Sequence, residues 1–291
     1  MVLCAGFGTR LRPLTDELPK PLVPIGDRSL LEHVLERLGE AGLLPVVANG
    51  HHLFDIFQRI TSSYAGVSKV IEEPEIRGTA GGVAGARDDF APGPVLVTNG
   101  DVLAAFDAAD LLAHAPGAGL CLAVAPRPVG QGSVGLGEGG RVVRLRGERF
   151  GEELAAGDYV GTMAIGPRAL AELPASGCLI GDVALPLLLR GGSVIARPLA
   201  GAWSAPGDGI PQYLDANRAW LAERVGPEGS FVGRGARIAL DVTLRSSVIG
   251  DGAELSGSGL VERVVLWPGA RAAAPLADCV VTTSGRLAGR A

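Results

Sequence analysis

Two glycines, two arginines and a lysine crowd the first twenty residues in an order suited to phosphate chemistry. The segment reads Leu3-Cys4-Ala5-Gly6-Phe7-Gly8-Thr9-Arg10-Leu11-Arg12-Pro13-Leu14-Thr15, and Pro19-Lys20-Pro21-Leu22 follows. Gly6 and Gly8 let backbone N–H groups approach a polyanion closely. Arg10 and Arg12 supply forked, permanently charged cations, while Lys20 is a compact cation whose flanking prolines restrict its backbone. Such a set is built to hold a triphosphate and to neutralise a departing pyrophosphate. Only Lys20 and Lys69 among the 26 basic residues are lysine, which makes the place of Lys20 informative. A dinucleotide-binding fingerprint needs a third glycine where Leu11 stands, and no Gly-Lys-Ser/Thr completes a Walker loop, so both of those readings fail.

Other chemistry-bearing residues are scattered. Asn99-Gly100-Asp101 ends the apolar run Pro94–Thr98, the position where open α/β sheets place their ligands. Gly78-Thr79-Ala80-Gly81-Gly82 is small enough for close backbone approach. Arg141, Arg144, Arg146 and Arg149 form a basic cluster that fits either an anionic substrate or a solvated hairpin face. His51 and His52 are adjacent, so their side chains diverge, and a structural or solvent-facing role is expected; His33 is expected at the surface. Cys4, Cys121, Cys178 and Cys279 show neither metal-knuckle nor redox spacing, which suits reduced core thiols in the cytosol.

These residues need a scaffold, and the chain is long enough for one large domain or two unequal ones: 291 residues, 47% hydrophobic and 20% charged. A net charge of −5 argues against sequence-independent nucleic-acid binding. No apolar run approaches the roughly 20 residues that span a bilayer, and no leader pattern opens the chain, so a cytoplasmic protein without membrane contact is expected. Ser29 with Glu32 caps a helix bearing Leu30, Leu31, Val34, Leu35 and Leu38. Strands are expected at Met1–Ala5, Leu44–Ala48, Val67–Ile71, Pro94–Thr98, Val142–Leu145 and Tyr159–Ile165. Helices are expected at Asp55–Tyr64, Gly78–Ala86 and Pro211–Val225. This alternation predicts an α/β fold, a Rossmann-like, mostly parallel sheet with helices on both faces. Beyond Gly226-Pro227-Glu228-Gly229 three segments resemble one another, with Gly233, Gly250 and Pro268 in matching places and Val232, Ile238 and Leu244 six apart. A hexapeptide period predicts a short parallel β-helix, expected left-handed, of about three coils. The division is therefore 1–227 and 228–291.

The N-terminal segment, with the later motifs in order, resembles the sugar-1-phosphate nucleotidylyltransferases. Within that family, the combination of these motifs with a hexapeptide tail looks most like the mannose-1-phosphate guanylyltransferases. The resemblance implies transfer of a nucleotidyl group from a nucleoside triphosphate to a sugar 1-phosphate, with GTP and mannose 1-phosphate as the favoured pair and Mg²⁺ as cofactor. It implies nucleotide contacts at Leu3, Ala5, Gly6, Gly8, Thr9, Gly78, Thr79, Asn99 and Gly100. Arg10 and Lys20 would be catalytic, Asp101 and Asp208 would bind metal, and Gly135, Glu148, Arg149 and Gly161 would contact the sugar phosphate. Two departures stand out. Glu148-Arg149-Phe150 replaces the family's Glu-Lys-Pro, and Asp208 is displaced by one residue within Trp203-Ser204-Ala205-Pro206-Gly207-Asp208-Gly209. Only Met1 and Val2 precede Leu3, so a shortened first strand or a late start is expected. The alternatives are uridylyl, thymidylyl or cytidylyl transfer to another phosphorylated acceptor, or a non-catalytic nucleotide-sugar-binding regulator. An acyltransferase is excluded because its coils would need a histidine, and none follows His114. The tail is expected to join subunits into a homo-oligomer.

Overall fold

The computed structural model describes residues 1–115, 117–199 and 201–289. The contacts divide it into two compact units, Met1–Gly6 with Val34–Trp203, and Phe7–His33 with Ser204–Ala291; Arg290 and Ala291 lie outside the described residues.

The first unit is α/β around a ten-stranded sheet. Its strands are β1 (Val2–Leu3), β2 (Val46–Gly50), β3 (Val67–Glu72), β4 (Val95–Asn99), β5 (Leu120–Arg127), β6 (Val134–Leu136), β7 (Val142–Leu145), β8 (Glu148–Arg149), β9 (Ala155–Ile165) and β10 (Val194–Pro198). The order runs β8-β7-β6-β9-β4-β1-β2-β3, with β5 paired to β9 and β10. Strands β4, β1, β2 and β3 are mutually parallel, as β5 and β10 are, whereas β9 pairs antiparallel to β4, β5 and β6. The parallel portion is the part legible as alternating strands and helices; the antiparallel portion corresponds to the glycine-rich hairpins after Pro126. Burial explains the apolar runs: Val95, Leu96 and Val97 of β4 and Leu120, Leu122 and Val124 of β5 are all shielded from solvent. Observed elements lie within a few residues of the expected ones, and β1 is short.

The second unit contains three single 3₁₀ turns at Thr9–Leu11, Leu14–Asp16 and Lys20–Leu22, a ribbon pairing Pro24–Ile25 with Arg28–Ser29, the helix Ile210–Val225, and the repeats. Ser29 caps as expected: its backbone N–H and hydroxyl each donate to Glu32 Oε2 at 2.8 Å, and its Oγ accepts from the Glu32 N–H at 3.2 Å. The helix buries Tyr213, Leu214, Trp220 and Leu221. Its Tyr213 hydroxyl donates to Pro24 O at 2.5 Å and accepts from Trp267 Nε1 at 3.0 Å, while Asn217 Oδ1 accepts from Gly26 N at 2.9 Å. Trp220 meets Phe231 edge to face, with centroids 5.2 Å apart.

In the repeats the strands pair in parallel ladders at a seventeen-residue step: Phe231 with Val248 and Val248 with Val265, Arg237 with Glu254 and Glu254 with Arg271. Val265 then pairs with Val280, and Leu287–Gly289 closes the stack antiparallel to Cys279–Val281. Glu254 bridges Arg237 and Arg271 along one ladder. Among the described residues no helix is long and apolar enough to cross a membrane.

Candidate active site

Strand order sets a topological switch point beside β1. From β1 the chain proceeds to β2 and β3 on one side, while β4 lies on the other, so the connections leaving β1 and β4 diverge; such switch points are where open sheets take ligands. Leu3 pairs with Asn99 and with Asn49, and Gly100 N donates to Leu3 O at 2.9 Å. Leu3, Ala5 and Gly6 therefore leave the sheet beside Asn99, Gly100 and Asp101. A Cβ on Gly100 would lie 2.6 Å from Cys4 Sγ, so glycine permits this approach. Burial, reinforced by the Asp101 charge, pushes the Cys4 thiol up and keeps it neutral.

A buried polar chain beneath these loops had no counterpart in the sequence reading. Cys4 N donates to Asn49 Oδ1 at 2.8 Å, Asn49 Nδ2 donates to Glu73 Oε1 at 2.5 Å, and Glu73 Oε2 accepts from Arg77 N at 3.2 Å. Asn49 and Glu73 are 2% and 1% exposed, so their hydrogen bonds offset a large desolvation cost. The available signal was a polar residue inside an apolar strand. His51 is structural, its Nδ1 lying 2.6 Å from Glu73 O; His33, expected at the surface, is instead half-buried with Nε2 2.9 Å from Ile25 O. The network reaches the helix Gly78–Gly85, whose Thr79 Oγ1 accepts from Leu179 N at 2.9 Å.

The residues expected on the sugar side divide into two places. Gly161 (φ +79°) interrupts β9 at a register shift between Tyr159 and Met163, and a Cβ there would sit 2.6 Å from Asn99 Nδ2. Beside this segment Gly132, Ser133, Arg144, Arg146, Tyr159 and Ile180 line a cavity of about 380 Å³. Ser133 Oγ accepts from Tyr159 N at 2.8 Å, and Arg146 Nη2 lies 3.6 Å from Cys178 Sγ. Arg144 is committed to structure: its Nε donates to Glu153 Oε2 at 2.8 Å, with the two side chains 12% and 5% exposed. The Arg144 hydrogen bond, aided by the Gly130 N–H, holds the Glu153 carboxyl down to about 2. Gly135 is buried under this pair, since a Cβ would lie 2.6 Å from Glu153 Oε2. Glu148 and Arg149 form the exposed edge strand β8, outside the cavity wall.

The remaining expected residues belong to the second unit. Gly8 (φ +62°) opens the turn Thr9–Leu11, and its carbonyl accepts from Thr15 Oγ1 at 2.8 Å. Thr9 and Arg10 are exposed, Lys20 is half-buried at the start of its own turn, and Asp208 ends the 3₁₀ turn Pro206–Asp208. Arg10 Nη1 contacts Asp208 Oδ1 at 2.7 Å.

This geometry has relatives. The nucleotidyl transferase family model matches residues 1–146, and the chain belongs to that family. Among curated proteins it is 28% identical over 289 residues to the probable mannose-1-phosphate guanylyltransferase 3 of Oryza sativa subsp. japonica, covering 88% of this chain and 79% of that one. It is 36% identical over 107 residues to the N-acetylmuramate alpha-1-phosphate uridylyltransferase of Caulobacter vibrioides, covering 35% and 44%. The crystal structure of HddC from Yersinia pseudotuberculosis superposes with a TM-score of 0.62 at 19% identity, over 75% of this chain and 97% of that one, which is a likeness of fold.

Proposed function

We propose that the protein joins a nucleoside triphosphate to a sugar 1-phosphate, with GTP and mannose 1-phosphate as the first pair to test. The observation that carries this reading is the switch point, where the Leu3–Gly6 segment leaves β1 beside Asn99, Gly100 and Asp101 of β4. The pairing of base and sugar rests on similarity to the rice protein named above. In the reaction a sugar-phosphate oxygen forms a bond to the α-phosphorus, and the bond to the β-phosphate oxygen breaks, so pyrophosphate leaves with the electron pair. This needs alignment and charge neutralisation more than covalent help from the protein. Gly6, Gly8 and Thr9 line the triphosphate, with Gly78 and Thr79 against the base. Arg10 and Lys20 neutralise the phosphates. The sugar phosphate occupies the cavity beside Gly161, with Arg146 on its wall; Gly135 supports that wall, and Glu148 and Arg149 flank it.

Asp101 in the first unit and Asp208 in the second are each carboxylates of the class Mg²⁺ takes, one or two at a time, with phosphate oxygens and water completing its shell. Asp101 is half-buried two residues beyond the end of β4, and Asp208 is exposed at the end of its 3₁₀ turn. Bound there, the ion would offset phosphate charge.

We also assign residues 1–227 to the transferase domain and 228–291 to a left-handed β-helix tail, a reading the seventeen-residue parallel step supports although the contact units divide elsewhere. The tail as a homo-oligomer interface is tested by light scattering, and a cytoplasmic site of action by fractionation. Pyrophosphate release across a panel of nucleoside triphosphates and sugar 1-phosphates tests the main reading. Turnover with UTP in place of GTP would favour the uridylyl alternative. The place of Arg149 on the exposed edge strand, off the cavity wall, favours one second reading, a nucleotide-sugar-binding regulator without turnover; binding by calorimetry with no pyrophosphate release from any pair would establish it.

A further inference from the structure

The last turn of the repeats is bonded to the loop that carries Arg10, Arg12 and Lys20. Glu17 follows the turn Leu14–Asp16, and its carboxylate accepts from the hydroxyls of Thr282 and Ser284 and, at 3.2 Å, from the Ser284 N–H. Its neighbour Asp16 is bridged on both sides: Oδ2 lies 2.8 Å from Arg286 Nη1, and Oδ1 lies 3.4 Å from Arg12 Nε. The donors are themselves preset. Thr282 is fully buried, Thr282 N donates to Arg286 O at 3.0 Å, Gly285 N donates to Thr282 O at 2.9 Å, and Arg286 N donates to Thr282 Oγ1 at 3.1 Å. The 282–286 turn thus presents three donors and a guanidinium without further ordering. On the loop side, Thr15 ties the same turn back to Gly8 O.

We propose that this C-terminal turn is a clasp that positions the phosphate-binding loop, with Glu17 and Asp16 as positioning residues and Ser284 and Arg286 as their holders. Arg12 meets the clasp directly through Asp16, and Arg10 lies between the two residues that Thr15 and Asp16 hold, Gly8 and Arg12. Charge-assisted bonds to a carboxylate are the stronger class of hydrogen bond, and they fix direction as well as distance. Burial raises the Glu17 carboxyl, but the Ser284 and Thr282 hydroxyls outweigh it and leave it below its ordinary value, so the anion persists at neutral pH. Loss of the clasp would therefore weaken loop order while leaving the sheet and its cavity intact.

The inference rests on the nucleotidyl-transfer reading for its kinetic consequence, but not for its structural one. The test uses the full chain with Ser284→Ala, Glu17→Gln and the conservative Ser284→Thr. Hydrogen exchange at the amides of residues 7–18 should accelerate about tenfold in the first two variants and return to wild-type rates in Ser284→Thr, with β1–β5 unchanged. The KM for the nucleoside triphosphate should rise about tenfold, with the sugar 1-phosphate KM unchanged. Exchange in the loop that is unaltered, or that rises equally throughout the chain, overturns the clasp; so does an equal rise of both KM values. A wild-type chain that turns over no substrate pair overturns the transferase reading instead, and the exchange result still decides the clasp.

Discussion

Arg10 Nη1 stands 2.7 Å from Asp208 Oδ1, so the cation expected on the phosphates and a carboxylate expected on the metal neutralise each other. Both side chains are exposed, 65% and 42%, and pairs of this kind contribute only about 0–1 kcal/mol. A polyanion can therefore take Arg10 at little cost and release Asp208 toward a cation. Asp208→Asn should leave the melting temperature within about 3 °C of wild type. It should also raise the Mg²⁺ concentration for half-maximal rate by about tenfold or more. A magnesium titration that is unchanged would restrict Asp208 to partnering Arg10.

Lys20 starts its own 3₁₀ turn between two prolines. Removing a donor aimed at developing charge costs on the order of 10²–10³ in kcat. Lys20→Ala should lose that much in pyrophosphate release while nucleotide binding, followed by calorimetry, weakens far less. Equal losses in both would make Lys20 a ground-state binding group.

The basic hairpin offers a clean comparison. Arg146 lines the cavity with Ser133 and Tyr159, whereas Arg149 stands on the exposed edge strand. Arg146→Ala should raise the KM for sugar 1-phosphate by about tenfold or more, as expected for a lost charge-assisted contact of about 1.5–3 kcal/mol. Arg149→Ala should change it by less than about threefold. A reversed order would return the sugar phosphate to the edge strand.

Gly161 combines a positive φ with close approach to the Asn99 amide. Gly161→Ala should cost about 1–3 kcal/mol of backbone strain and further energy for displacing Asn99. Gly139 (φ +66°) has open space around it, so Gly139→Ala isolates the backbone part. Urea midpoints measure both, and equal shifts would mean that Asn99 yields freely.

Glu153 gives the fold a pH dependence with a definite sign. Its carboxyl is held down to about 2, chiefly by the Arg144 hydrogen bond, against about 4.3 in an unfolded chain. Its contribution is complete above the unfolded value and is lost as pH falls toward 2. Between pH 5 and 2.5 wild type should lose more stability than Glu153→Gln, which should already be less stable at pH 6. Parallel stability curves would mean that the pair forms equally in the unfolded chain.

Much of this was legible without coordinates because it is local. Ser29 and Glu32 announce a cap through their spacing, and Val95–Asn99 announces a buried strand through its apolar run. The first loop announces a tight turn through its glycines, and Gly8 opens one at φ +62°. The seventeen-residue spacing of Gly233 and Gly250 was legible, and the parallel ladders step by the same seventeen residues. What escaped were relationships between residues distant in sequence. Asn49 and Glu73 carry no motif, and only strand pairing brings them under Cys4 and Arg77.

By itself the sequence determined which residue types stand where a strand ends, because that depends on local hydrophobic period and turn chemistry. It could not say which arginine of the hairpin lines a cavity and which faces solvent. Both lie on one short ribbon, and the outcome depends on the register of Arg144 against Gly135 and Arg149. Nor could it say that Glu17 is held by Thr282 and Ser284. Hydrogen bonds between positions so far apart become possible only after the chain has met the cost of closing the loop between them, and only packing across the whole unit meets it.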